Sequence, residues 1–184
     1  MKKIFFCAVL LSCIAFVSES FVTKTATPSP EKIHWYTFEE AAKLDKEHPK
    51  KIFIDVQTSW CVWCKRMEAT TYEDTTIIRD LNTYFYPVKL DAEMTDTVRF
   101  DTLTFVNPHP GARGSVHQLA YSLLGGKMSY PTTVYMDERF TLLSRAPGYL
   151  DAKSLEPILM YFAGNNYKNT KWEDYKNSFK GNVK

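Results

Sequence analysis

A chain of 184 residues with a formal net charge of +2, and no basic block longer than two or three residues, gives neither nucleic acid nor an anionic lipid surface a reason to bind. Hydrophobic residues at 45 % and aromatic residues at 15 % exclude an intrinsically disordered chain. The length suits one domain with a complete core.

The N-terminus has the layout of a secretory signal over residues 1–20: Lys2 and Lys3, an apolar run from Ile4 to about Val17, then small Ser18 and Ser20. The run is short and polar residues follow, so it makes a poor permanent anchor. A second export reading exists, because Leu10, Leu11, Ser12 and Cys13 resemble the lipobox of bacterial lipoproteins, although Ile14 to Val17 carry the apolar core past that cysteine. Membrane attachment is expected only if Cys13 is lipidated; otherwise Cys7 and Cys13 leave with the signal. Both routes predict export, to a bacterial periplasm.

Residues 21–32, with Pro28 and Pro30, read as an extended leader. Ile33 to Tyr36 fits a short strand. Thr37 and Glu40 have capping-box spacing, and Phe38, Ala41, Ala42 and Leu44 give a helical stripe that ends before Pro49. Lys51 to Val56 reads as a buried strand, apolar except for Asp55. Lys65 to Thr70 favours helix, and Asp74 can cap a continuation through Ile77, Ile78 and Leu81. Tyr84 to Asp91 is the next strand.

Ala92 to Ser115 reads as an insertion, because one crossover helix with its loops needs only about 20 residues. The cluster Asn107, Pro108, His109, Pro110, Gly111 excludes regular structure locally. Val116 to Leu124 supplies a helix closed by Gly125 and Gly126. Thr132 to Met136 and Phe140 to Ser144 fit a hairpin around Asp137, Glu138 and Arg139. Leu155, Ile158, Leu159 and Phe162 share a helix face, with Pro157 leaving its start open. After Gly164, Trp172, Tyr175 and Phe179 mark a terminal helix whose aromatic side packs on the domain itself or, less simply, holds a partner. Strands alternating with helices indicate an α/β domain over residues 33–163, with residues 164–184 as a helical extension.

Once the signal is removed, Cys61 and Cys64 are the only cysteines, in Trp60, Cys61, Val62, Trp63, Cys64, Lys65. A cysteine attacks as its thiolate, so a reactive one needs surroundings that lower its pKa from about 8.5. At the start of the helix that follows the Lys51 strand, free amide N–H groups and the helix dipole would favour that charge on Cys61. Cys64, one turn further on, is within bonding reach and more shielded. The spacing fits Cys61 as nucleophile and Cys64 as the thiol that resolves a mixed disulfide.

Three other readings remain open. A structural disulfide is weakened by the small loop it closes. Half a zinc site lacks a second cysteine pair, and His34, His48, His109 and His117 are scattered. Copper(I) binding could draw on Met67, Met94 or Met128. A redox pair carries its own electrons, so no cofactor and no metal are expected. Asp55, an acid in an apolar strand, is costly to bury unless paired or protonated, and would then take up and return a proton during exchange at Cys64. Lys89 on the next strand is its candidate charge partner, or an edge charge.

On these residues the chain resembles the thioredoxin superfamily across most of residues 33–163. Asp55 stands six positions before Cys61, as the buried acid does in thioredoxins, and Lys89 matches the lysine paired with it there. Tyr130, Pro131 and Thr132 match the cis-proline loop that faces the cysteines in that family. The stretch from Trp60 to Lys65, with Glu68, Thr71 and Asp74, is especially similar to the C-terminal domain of the disulfide reductase DsbD and to exported thioredoxin-like relatives. The resemblance implies a central mixed sheet flanked by helices, an insertion at about 92–115 before the cis-proline loop, and an extra C-terminal helix. It implies an exported thiol:disulfide oxidoreductase acting on protein thiols and disulfides, as a reductant fed by a membrane electron-donor protein. The site it implies is Cys61, Cys64, Asp55 and Lys89, with Trp60, Val62, Trp63, Tyr130 and Pro131 framing the substrate. Val62 and Trp63 replace the Gly–Pro of thioredoxins, and the insertion around His109 and Arg113 is absent from the minimal fold. A non-catalytic binding protein on the same scaffold is the alternative function.

Overall fold

A computed structural model of the chain describes residues 31–184. The expected signal, the lipobox cysteine Cys13 and the leader up to residue 30 lie outside the described residues. Among those described, no helix is long and apolar enough to cross a membrane.

Helix α1 (Phe38–Glu47) starts with the expected capping box: Thr37 Oγ1 accepts from the Glu40 amide at 3.2 Å, and the Glu40 carboxylate accepts from the Thr37 amide at 2.8 Å. Strand β1 (Lys51–Gln57) follows, then α2 (Val62–Ala69), a 3₁₀ turn over Thr71–Glu73, and α3 (Thr75–Tyr84). Asp74 caps α3, accepting from the Thr76 and Ile77 amides at 2.8 and 3.1 Å. Strand β2 (Phe85–Asp91) leads to β3 (Val98–Phe100) and β4 (Leu103–Phe105), then α4 (Gln118–Leu124), the hairpin β5 (Thr132–Met136) and β6 (Leu142–Pro147), α5 (Ala152–Ala163) and α6 (Trp172–Ser178).

The main sheet has the order β2-β1-β5-β6, parallel between β1 and β2 and antiparallel elsewhere. Alternation along β1 divides the core. Ile52, Ile54 and Val56 pack with α1 and α4 on one face, while Phe53 joins Met67 of α2, Ile77 and Leu81 of α3 and Leu155 and Leu159 of α5 on the other. The same alternation sends Asp55 to the Phe53 side, among aromatic and aliphatic neighbours.

Three expectations change. Ile33–Tyr36 is not a strand: only Tyr36 bridges β2, donating to the Pro87 carbonyl at 2.8 Å. The next ladder bond would need an amide proton on Pro87, which has none, and the His34 amide turns to Asn82 Oδ1 instead, at 2.9 Å. The 92–115 segment carries the β3–β4 hairpin, with Asp101 at φ 54 in its turn; Phe100 and Phe105 anchor it on the core. Strand β6 begins two residues later than expected, because Asp137 Oδ1 accepts from the Arg139 and Thr141 amides and holds the turn through residue 141.

Helix α5 runs through Pro157, capped by Asp151, whose carboxylate accepts from the Ser154 amide at 2.8 Å. The aromatic side of α6 lies on the domain itself: Trp172 and Tyr175 sit 5.3 and 5.1 Å from the Tyr161 ring. Buried Glu156 grips the tail beyond it, accepting from the Asn182 and Val183 amides at 2.7 and 3.0 Å.

Candidate active site

The chain leaves the sheet at the end of β1 and turns through Thr58 into α2, with Cys61 at the N-cap. The Cys61 amide donates to the Thr58 carbonyl at 3.1 Å, and Cys61 Sγ accepts from the Cys64 amide at 3.1 Å. That N–H lies at the positive end of a helix, where a negative charge is favoured. Cys61 and Cys64 are joined in a disulfide, with Cα atoms 5.3 Å apart. Cys64 is 1 % exposed and Cys61 4 %.

The side chains around the pair stand out into solvent: Trp60 is 60 % exposed, Val62 74 % and Trp63 55 %. Trp60 meets the edge of Tyr130 at 5.8 Å, which ties the Tyr130–Pro131 loop to the cysteine turn. The peptide bond between Tyr130 and Pro131 is cis. The Trp60 indole N–H donates to Glu93 Oε2 at 3.0 Å. On the other flank Trp63 lies 5.5 Å from Tyr149, with the Arg66 guanidinium over both rings at 5.7 and 5.8 Å. Two aromatic walls thus flank the cysteines.

Asp55 is fully buried, and its Oδ1 has no hydrogen-bond partner. Burial pushes its carboxyl up to about 7, against the smaller downward pull of the Lys89 charge and the Tyr72 hydroxyl. Lys89 faces Asp55 in the register of β1 and β2. Its ammonium, however, bonds the Glu68 carboxylate of α2 and lies 5.0 Å over the Trp35 ring. Lys89, the candidate charge partner of Asp55, thus hydrogen-bonds Glu68 and not Asp55. Glu68 and Lys89 are both about one-third exposed, so they pair without the dehydration that drawing the ammonium onto Asp55 would require.

The insertion forms part of the site's surroundings. Asn107 Nδ2 donates to the Glu93 and Met94 carbonyls at 3.3 and 3.2 Å. Buried His117 accepts from the Leu119 amide through Nδ1 at 3.2 Å, and its Nε2 donates to the Asp96 carbonyl at 3.0 Å. Burial holds the His117 imidazole below its ordinary pKa, in keeping with this neutral tautomer. So anchored, residues 111–115 and Trp60, Glu93 and Thr95 enclose a cleft of about 670 Å³.

Among the described residues no group of three or more His, Cys, Asp or Glu could hold a metal ion. Met67 is a fully buried core residue, and Met94 and Met128 pack against the opposite core face. Sequence reading missed Glu93, Arg66 and Tyr149 as neighbours of the cysteines. Arg66 had a local signal, three residues after Trp63 on one helix; Glu93 and Tyr149 arrive from distant loops and had none.

The geometry joins a disulfide-bonded CxxC pair at a helix start with exposed aromatic side chains on both flanks, an arrangement compatible with thiol–disulfide exchange. The chain is 34 % identical over 83 residues to an uncharacterised protein of Caenorhabditis elegans, a match covering 45 % of this chain and 11 % of that protein, so it spans about a tenth of that relative's length. Two solved structures share the fold. A DsbH oxidoreductase superposes with a TM-score of 0.50 at 19 % identity, covering 77 % of this chain and 91 % of that one. A thioredoxin-fold protein from Helicobacter pylori gives 0.55 at 15 % identity, covering 70 % and 83 %. A family model described as Thioredox_DsbH, protein of unknown function, DUF255, matches residues 17–111. Because that match spans more than half of a thioredoxin-fold chain whose Cys61 and Cys64 form a disulfide, the chain belongs to the Thioredox_DsbH family.

Proposed function

We propose that this protein is an exported thiol:disulfide oxidoreductase that reduces protein disulfides, with Cys61 as nucleophile and Cys64 as resolving thiol. The observation that carries the assignment of roles is the Cys64 amide directed at Cys61 Sγ from the start of α2. It favours the Cys61 thiolate, while Cys64 lies deeper. Asp55 takes the Cys64 proton and returns it in the reverse direction, Lys89 tunes Asp55 through its charge, and Trp60, Val62, Trp63, Tyr130 and Pro131 receive the substrate. The domain occupies residues 33–163, after a signal at 1–20 and the leader, and residues 164–184 brace it.

The preference for reduction, with a membrane protein as electron donor, rests on the resemblance of the Trp60–Lys65 stretch to a reductase domain. Replacing Cys64 with Ser in the native host tests the exchange, because mixed disulfides should then accumulate on Cys61. No trapped partner, together with no disulfide reduction by the parent protein, removes the proposal. A reduction potential near or below about −270 mV supports a reductant, and one near about −120 mV an oxidant.

A further inference from the structure

The cleft of about 670 Å³ between Trp60 and residues 111–115 begins at the residue before Cys61. Its volume falls within the roughly 300–1,000 Å³ usual for ligand sites. The wall made by the insertion is built in advance. The Ser115 hydroxyl donates to Asn107 Oδ1, which also accepts from the His109 amide at 3.0 Å. The Ala112 and Ser115 amides close successive turns on the His109 and Ala112 carbonyls at 3.1 and 3.0 Å. Asn107 in turn bonds the Glu93 and Met94 carbonyls, and Glu93 holds the Trp60 indole N–H. Loop, carboxylate and indole therefore belong to one bonded unit, which lowers the cost of ordering them around a ligand.

What this wall offers is main chain. Gly111 and Gly114 have φ 78 and 74, the region that glycine adopts without strain, and an added Cβ at either would meet nothing within 4 Å. The Gly111, Arg113 and Gly114 amides make no hydrogen bond within the described residues. The polar side chains are less free: the Ser115 hydroxyl is taken by Asn107, and Glu93 by the Trp60 indole. Glu93 and Arg113 carry opposite charges, so the lining has no net charge to draw a small ion. Trp60, 60 % exposed and edge-on to Tyr130, joins the cleft to the Tyr130–Pro131 loop. Open main-chain groups beside an exposed aromatic ring suit an extended polypeptide, which brings its own amides and carbonyls together with side chains. We propose that this cleft is a subsite for substrate polypeptide, holding the extended segment next to the attacked cysteine so that disulfides in polypeptide are preferred over small disulfides. The inference rests on the oxidoreductase reading above and adds to it the substrate class.

Ala112→Trp, at an exposed lining position, fills the cleft and leaves both glycines and the cysteine turn in place. The full chain is assayed on a disulfide-linked peptide that carries flanking residues on both sides of its cysteines, and on hydroxyethyl disulfide. In the variant the KM for the peptide should rise roughly tenfold with kcat preserved, the sign of lost substrate binding, while the small disulfide reacts as with the parent. An unchanged peptide KM overturns the subsite and leaves the oxidoreductase reading intact. Equal slowing with both disulfides overturns it in favour of a disturbed cysteine turn, and a parent that reduces neither disulfide removes the oxidoreductase reading and the subsite with it. Should Ala112→Trp not fold, Thr95→Trp fills the same cleft from a second exposed position and is read in the same way. In the mixed disulfide that Cys64→Ser traps with the same peptide, hydrogen exchange at the Gly111, Arg113 and Gly114 amides should slow; exchange as fast as in the free protein overturns the subsite.

Discussion

Asp55 and Lys89 are register partners on adjacent parallel strands, yet the Lys89 ammonium bonds Glu68 and leaves Asp55 Oδ1 unpaired. Lys89 acts on Asp55 by its field, and Glu68 holds that field off at one remove. The two substitutions should therefore move the Asp55 titration in opposite directions. Lys89→Met removes the favourable charge and raises the Asp55 pKa above its value of about 7; Glu68→Gln removes a like charge and lowers it. Carboxyl NMR titration of both variants checks this, and shifts of the same sign would contradict the arrangement.

Asp55 should also weaken the fold in neutral and alkaline solution. Its folded pKa, about 7, lies above the unfolded value, so the folded state binds more protons between the two. The stability linked to this carboxyl is complete below about pH 4 and is lost as pH rises through 7. Asp55→Asn should gain on the order of 3–4 kcal/mol over the parent at high pH and little in acid, as read by denaturant unfolding of the disulfide form.

His117 has the opposite dependence. Burial depresses its pKa, and both ring nitrogens are engaged as the neutral form allows. The unfolded chain takes up the proton first, so unfolding free energy should fall as pH drops below about 6.5. His117→Gln should lose about 1–3 kcal/mol at neutral pH. Its pH dependence in that window should flatten, which parallel denaturation curves reveal.

Glu93 should matter to substrate affinity through Trp60. Loss of one hydrogen bond worth about 1 kcal/mol corresponds to roughly a fivefold change, expected as a higher KM for a peptide disulfide in Glu93→Ala with kcat preserved. Glu93→Gln retains an acceptor for the indole N–H and should restore most of it. An equal effect of both variants would assign Glu93 another role.

Local signals carried much of this molecule. Thr37 and Glu40, Asp74, and the apolar run of β1 announced their elements because caps and buried strands depend on neighbours a few residues away. The spacing of Cys61 and Cys64 likewise marked two thiols within bonding reach, and the structure joins them. The β3–β4 hairpin escaped notice because three-residue strands are too short to show periodicity. Lys89's choice of Glu68 over Asp55 depends on which carboxylate keeps its water, a property of the folded surface that no spacing encodes.

Pro87 reaches beyond the single bridge that it leaves at Tyr36. Strand β2 forms the outer edge of the sheet, the place where a stray extended chain would add itself and begin aggregation. An imino acid in mid-strand denies such a chain one donor, and Tyr36 already occupies the flanking Pro87 carbonyl and Lys89 amide. One residue thus guards the border against self-association while the sheet inside stays continuous.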